Sequence, residues 1–281
     1  MYRAAGPDLN PFRLVSPKGN WNGIMSATGS ASGALTIVGP GRAGSSIATA
    51  ARRSGFEVEL VGRSPEPALI AGACVLLCVP DVAIAEVAAG IGRDGSAPRL
   101  IGHTSGATTL EPLGAAGASE GCFSLHPLQT LPDGEAELSG APAAVAGSDP
   151  ATLSFAVDLA RSLGMLPFAI DESDRALYHA AASMASNFLV TLEQNASVLL
   201  SDSGVEEPRE ILAPLVRRTL ENWISKGPEA LTGPIARGDI ATVERHREAI
   251  ARTRPELVPF YDGLAEATKA LAADDQAKVL R

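Results

Sequence analysis

The segment Ala34 to Ser64, ALTIVGPGRAGSSIATAARRSGFEVELVGRS, limits what this chain can fold into more than any other. The apolar run Leu35 to Val38 leads directly into Gly39, Gly41 and Gly44, spaced G-x-G-x-x-G. Ile47, Ala50 and Ala51 then supply one apolar helix face, Gly55 a stop, and Glu57 to Val61 a second alternating strand. The three glycines have separate tasks in such a strand–turn–helix: a tight turn, close approach of a ligand to backbone, and close packing of helix on strand. Unpaired amides at the helix start then favour an anion. The pattern therefore predicts a dinucleotide cradle from Gly39, Pro40, Gly41, Arg42, Ala43 and Gly44.

The end of the second strand selects between coenzymes. A site for the unphosphorylated ribose places Asp or Glu about 20 residues beyond the glycines. Gly62, Arg63 and Ser64 stand there instead. A guanidinium and a hydroxyl grip a 2′-phosphate, which a carboxylate would repel, so the expected coenzyme is NADP(H). The alternative keeps Arg63 as a solvated loop residue and makes Glu59, inside the strand, the ribose ligand.

Further strands are expected at Cys74 to Val79, Leu100 to His103, Cys122 to Leu125, Ala143 to Ala146 and Leu166 to Ile170. Helices are expected after Asp81, read as a cap, through Ala89, and near Ala151 to Leu163. This alternation predicts a doubly wound, mostly parallel α/β sheet. From Asp171 the strand signals stop. Helices are expected over Glu172 to Ser201, Glu206 to Ser225, Ile240 to Arg252 and Glu256 to Ala273. The chain thus divides into a Gly-, Pro- and Ser-rich extension over 1–33 (or a start placed upstream of Met25), a nucleotide-binding domain over 34–170 and an all-helical domain over 171–281.

Net charge is −9, which excludes a broad basic surface for nucleic acid or anionic lipid. No apolar stretch is long enough to cross a bilayer, and a cytoplasmic protein is expected. The three cysteines are not spaced with histidines as metal ligands. No metal is expected, and the thiols read as buried and free.

Ligands of open α/β sheets bind beyond the carboxyl ends of the strands. Val79 and Pro80, His103-Thr104-Ser105-Gly106, and His126-Pro127-Leu128-Gln129 all fall there. Val79, Pro80 and Ser105 are read as coenzyme contacts, and His103 and Gln129 as substrate contacts. The plainer alternatives are that Thr104 or Thr108 caps a helix and that His126-Pro127 sets a turn. On the long helix Tyr178, His179, Ser183 and Asn187 interrupt an Ala-rich stretch, the last three in steps of four. Such steps share one side of a helix, so His179, Asn187, Ser183 and His126 are the candidate catalytic residues; His179 and Asn187 could instead satisfy buried backbone or a partner subunit. Thr232, Arg237 and Glu244, around the loop LTGPIARGD, are candidate substrate contacts, although Asp239 or Thr242 could simply cap the following helix. Imidazoles titrate near neutrality and can relay a proton in hydride transfer; His246, on a charged helix, is expected to be exposed.

The segments IVGPGRAGSSIA, LLCVPD, GHTSGA, SLHPLQT, YHAAASMASNF and LTGPIARGD together resemble the Rossmann-like proteins with a C-terminal helical domain of unknown function, relatives of ketopantoate reductase and the β-hydroxyacid dehydrogenases. That resemblance implies an NADP-binding Rossmann domain and a helical domain like that of 6-phosphogluconate dehydrogenase. It also implies homodimerisation through the helical domain and reduction of a small keto acid or imine. Asn187 matches the Asn that ketopantoate reductases carry on the long helix, but Ser183 stands where their Lys would be; Thr232 and Glu244 resemble their substrate-holding Ser and Glu. Without that lysine, His179, His126 or His103 must donate the proton, or the reaction differs. Imine reduction like that of pyrroline-5-carboxylate reductase needs no lysine. A sensor or assembly protein that binds NADP without turnover is the reading from a different class.

Overall fold

The computed structural model describes residues 34–62, 69–71, 73–93 and 97–279. The expected N-terminal extension and the Arg63-Ser64 pair lie outside these residues. The described chain begins with β1 (Ala34–Val38), α1 (Arg42–Arg53), β2 (Glu57–Val61), β3 (Cys74–Leu77), α2 (Ile84–Arg93), β4 (Leu100–His103) and β5 (Cys122–Pro127). It continues through β6 (Pro142–Gly147), α3 (Pro150–Ser162), β7 (Leu166–Ala169) and α4 (Arg175–Ser183). These form one seven-stranded sheet in the order β2-β1-β3-β4-β5-β6-β7. Strands β1 to β5 run parallel, β6 pairs antiparallel to β5, and β7 follows β6. The expected doubly wound, mostly parallel sheet is observed.

Both faces of this sheet are covered, which is why its central strands read as apolar runs rather than alternating ones. All four residues of β3 are buried, as are Leu35 to Val38 of β1. On one face Leu35, Ile37, Leu76 and Leu125 pack with Ile47, Ala48 and Ala51 of α1 and Ala156, Leu159 and Ala160 of α3. On the other, Val38, Val75, Leu77 and Ile101 pack with Ile84, Val87, Ala88 and Ile91 of α2. Asp149 starts α3 with a capping box, accepting from the Ala151 and Thr152 amides while the Thr152 hydroxyl takes the Asp149 N–H.

Several boundaries differ from expectation. Asp81 does not cap a helix; it opens a short 3-10 turn, Asp81–Ala83, and α2 runs on to Arg93. The expected unbroken helix from Glu172 is a 3-10 turn (Glu172–Asp174), α4, a five-residue π-helical segment (Met184–Phe188) and then α5 (Leu189–Asp202). A π turn widens the hydrogen-bond ladder by one residue and needs no Gly or Pro, so no breaker in the sequence marks it.

The chain divides into two compact units between Ser183 and Met184, inside that helical run rather than at Asp171. Arg175, only 1% exposed, roots α4 in the first unit. The second unit contains α5, α6 (Pro208–Lys226), α7 (Ile240–Thr253) and α8 (Val258–Val279). Pro208 sits in the first turn of α6, where its missing N–H costs nothing. A bidentate pair between Arg254 and Asp202 ties the end of α7 to the end of α5. Met184, Phe188, Ile211, Leu215, Trp223 and Ile224 are exposed. Among the described residues no helix is long and apolar enough to cross a membrane.

Candidate coenzyme and proton-transfer site

The carboxyl ends of β1 to β5 line one edge of the sheet. The strand order reverses between β1 and β3, because β2 lies on the other side of β1. Ligands of open α/β sheets occupy that crevice. The Gly39 N–H bonds the Val61 carbonyl at 2.8 Å and the Cys78 N–H bonds the Val38 carbonyl at 2.8 Å, so the glycine turn is stitched to both neighbouring strand ends. Gly39 has φ +108°, and a Cβ there would meet the Cys78 oxygen at 2.5 Å. A Cβ on Gly44 would stand 2.0 Å from the Gly39 oxygen. Gly41 is different: nothing lies within 4 Å of a Cβ built on it. The first turn of α1 has neither a side-chain cap nor an acidic residue. Open space in front of uncapped amides fits a pyrophosphate. Pro40 and Arg42 are exposed there and Ala43 half-buried. Glu59, the alternative ribose ligand, is exposed in mid-strand opposite Thr36.

Beyond β3, Val79 closes the apolar core and Pro80 is exposed. Beyond β4 the loop 103–110 is held by its own side chains. The buried His103 has its Nε2 3.0 Å from the Thr109 carbonyl, while its Nδ1 has no partner. Burial pushes its pKa below the ordinary value, so the ring is neutral. The Ser105 hydroxyl accepts the Ala107 and Thr108 amides and bonds the Thr108 hydroxyl. His103 thus has no surface for a substrate, and the Ser105 hydroxyl is committed to its turn. Neither Thr104 nor Thr108 caps a helix.

Three side chains close over the apex of this loop. His126, at the end of β5, has its Nδ1 2.6 Å from the Tyr178 hydroxyl. The His179 ring lies edge-on to His126, with centroids 6.0 Å apart. A Cβ on Gly106 would meet His179 Cδ2 at 2.7 Å and His126 Cε1 and Nε2 at 2.9 and 3.0 Å. Only glycine lets the loop come this close. Burial, then the neighbouring His179, lowers His126 to about 4. Burial raises Tyr178 to about 12. At neutral pH the dyad is therefore an uncharged imidazole and a protonated phenol. The bond commits Nδ1 of His126 to the Tyr178 hydroxyl and leaves Nε2 on the side facing Gly106.

The first unit thus brings together His126, His179 and Gly106, and adds Tyr178, which the four-residue steps alone did not single out. Ser183 is half-buried at the end of α4. Gln129 is exposed and its amide donates to the Glu137 carbonyl. In the second unit Asn187 lies in the π segment and Thr232, Arg237 and Glu244 are all exposed. Asp239 caps α7 through the Thr242 amide, and the exposed His246 bonds the Tyr261 hydroxyl at 3.1 Å.

The model of a domain of unknown function, DUF2520, matches residues 141–268. No curated protein matches the sequence. Among solved structures, a Bacteroides fragilis protein provisionally assigned as an NADP oxidoreductase is similar at 21% identity and a TM-score of 0.70, over 85% of this chain and 98% of that one. A reductive aminase from Aspergillus terreus, solved with NADPH and ethyl-5-oxohexanoate, is similar at 17% identity and TM-score 0.61, over 84% and 93% of the two chains. Pyrroline carboxylate reductase from Plasmodium falciparum, solved with NADP bound, is similar at 13% identity and TM-score 0.54, over 85% and 99%. At these identities the likeness shows a shared fold, that of NADP-binding reductases.

Proposed function

We propose that this chain is an NADP(H)-dependent oxidoreductase acting on a small keto or hydroxy acid or an imine. One observation carries the reading: an open glycine cradle at the strand-order reversal shares its sheet edge with the His126–Tyr178–His179 cluster. Three strand spacings of ~4.8 Å separate β1 from β5, so the two lie about 14 Å apart along the edge, a span suited to a coenzyme laid across it. NADPH, when bound, supplies the hydride. Gly41 and the α1 amides hold its pyrophosphate; Arg63 and Ser64 receive the 2′-phosphate. The His126 Nε2–H donates to the oxygen or nitrogen that gains charge, with Tyr178 fixing its tautomer. His179 is the proton donor in place of the lysine that Ser183 replaces. Asn187, Thr232, Arg237 and Glu244 remain candidate substrate contacts on the helical unit. The exposed apolar residues of that unit fit a homodimer interface.

The test is titration of the protein with NADPH, read by nicotinamide fluorescence. The absorbance of the reduced ring is then followed with a panel of keto acids and cyclic imines. Saturable binding with turnover, lost in His179→Ala while NADPH affinity persists, is the expected result. Absence of binding overturns the proposal. Binding without turnover across the panel favours a coenzyme-binding sensor instead, a reading that the missing lysine supports.

A further inference from the structure

Arg175 is the largest fully buried side chain among the described residues and the only charged one so buried. Taking a guanidinium out of water costs several kcal/mol unless every donor finds an acceptor. Here the acceptors come from three separate elements. Nε bonds Glu172 Oε1 in the turn before α4, Nη2 bonds the Ser124 hydroxyl on β5, and Nη1 reaches the Ser105 carbonyl at 3.4 Å in the loop after β4. Glu172 in turn accepts the Leu110 amide at 2.6 Å, closing the far end of the same loop. Ser124 precedes His126 by two residues on one strand face. Ser105 precedes Gly106, and Arg175 precedes Tyr178 and His179 by one helical turn. The loop and β5, which Arg175 grips, thus deliver Gly106 and His126, and α4, which carries Arg175, delivers Tyr178 and His179.

We propose that Arg175 is a positioning residue for this site: it locks the 103–110 loop, β5 and α4 together so that Gly106, His126, Tyr178 and His179 share one arrangement. The proposal rests on the functional reading above for the purpose of that arrangement, and its geometry can be tested without a substrate. A planar fork with donors in three directions is required, which lysine does not provide.

The four histidines make the test direct. In full-length protein carrying ¹⁵N-labelled histidine, ring nitrogen–proton correlations report each imidazole separately, and His246 in the second unit serves as the internal control. Arg175→Met and Arg175→Lys are both expected to displace the His126 and His179 signals and leave His246 unmoved. Wild-type signals in Arg175→Lys would show that a buried charge suffices and overturn the proposal. If both variants fail to fold, Ser124→Ala removes only the tie to β5; a displaced His126 signal is then expected, and an unchanged one overturns the proposal. NADPH titration of the same samples keeps the two ideas apart. Displaced rings in a protein whose wild type binds no NADPH would sink the coenzyme reading and leave the role of Arg175 standing.

Discussion

Gly41→Ala and Gly44→Ala separate a glycine kept for the ligand from one kept for the fold. A methyl at Gly41 meets nothing within 4 Å, and the backbone there is ordinary, with φ −78°. Loss of unfolded-chain entropy stabilises such a change by about 0.4–1 kcal/mol, and the poorer helix cap offsets it by roughly the same amount. The melting temperature of Gly41→Ala is therefore expected to stay within about 2 °C of wild type. The methyl would instead crowd the pyrophosphate of the proposed complex. Each charge-assisted hydrogen bond lost there costs about 1.5–3 kcal/mol, so NADPH binding is expected to weaken roughly 10- to 150-fold. At Gly44 the methyl would stand 2.0 Å from a backbone oxygen. Overpacking of that kind costs about 1–3 kcal/mol and lowers the melting temperature of a domain this size by about 2–12 °C, whether or not coenzyme is present. Differential scanning fluorimetry and NADPH titration on the three proteins decide the matter. A Gly41→Ala protein with wild-type NADPH affinity would refute the backbone cradle.

Arg63→Ala should weaken NADPH far more than NADH, by at least the roughly 10- to 150-fold that one charge-assisted bond contributes; equal losses measured by parallel titrations would remove the basis for choosing NADP. Tyr178→Phe leaves His126 Nδ1 half-buried without a partner, and a loss of about 1–3 kcal/mol in urea unfolding is expected; an unchanged midpoint would contradict the bond. The depressed His126 also links stability to pH. Above about 6.5, the ordinary value, both folded and unfolded rings are neutral; as pH falls toward 4 the unfolded chain takes a proton that the folded site refuses, and stability drops. His126→Gln should flatten the melting-temperature loss between pH 7 and 4.5, with the buried His103 contributing alike to both proteins; parallel curves would show that His126 is not depressed. Cys74 and Cys78, pushed up to about 12 by burial, should resist an aromatic disulfide reagent at pH 8 until the chain unfolds, which a thiol count in native and denatured protein checks.

What the sequence disclosed follows the range of the physics involved. The strands of the sheet were legible because a parallel strand covered on both faces must be an apolar run, and the glycine turn because each of its glycines answers a short-range steric demand. His126 was legible as a polar residue at a strand end, and His179 as one interrupting an Ala-rich helix. Arg175 was not: an arginine at the start of a helix reads as a solvated cation, and two of its three acceptors lie 51 and 70 positions away in sequence. Gly106 carries no local signal either, because its reason is two rings delivered by other elements. Counting in fours from His179 to Asn187 assumed 3.6 residues per turn, which the π segment breaks.

The antiparallel pairing of β6 with β5 has a consequence for how α4 is aimed. In a wholly parallel sheet every strand finishes at the ligand edge, and the helix that follows must travel back from it, presenting little beyond its first turn. Here β7 runs the other way, so the chain turns at the opposite rim and α4 climbs with β1 to β5. It passes Ser124 at Arg175, His126 at Tyr178 and Gly106 at His179. A single reversed strand pair thus turns a returning connector into an outgoing arm, and lets one helix reach a rim that the loops of the sheet would otherwise have to furnish alone.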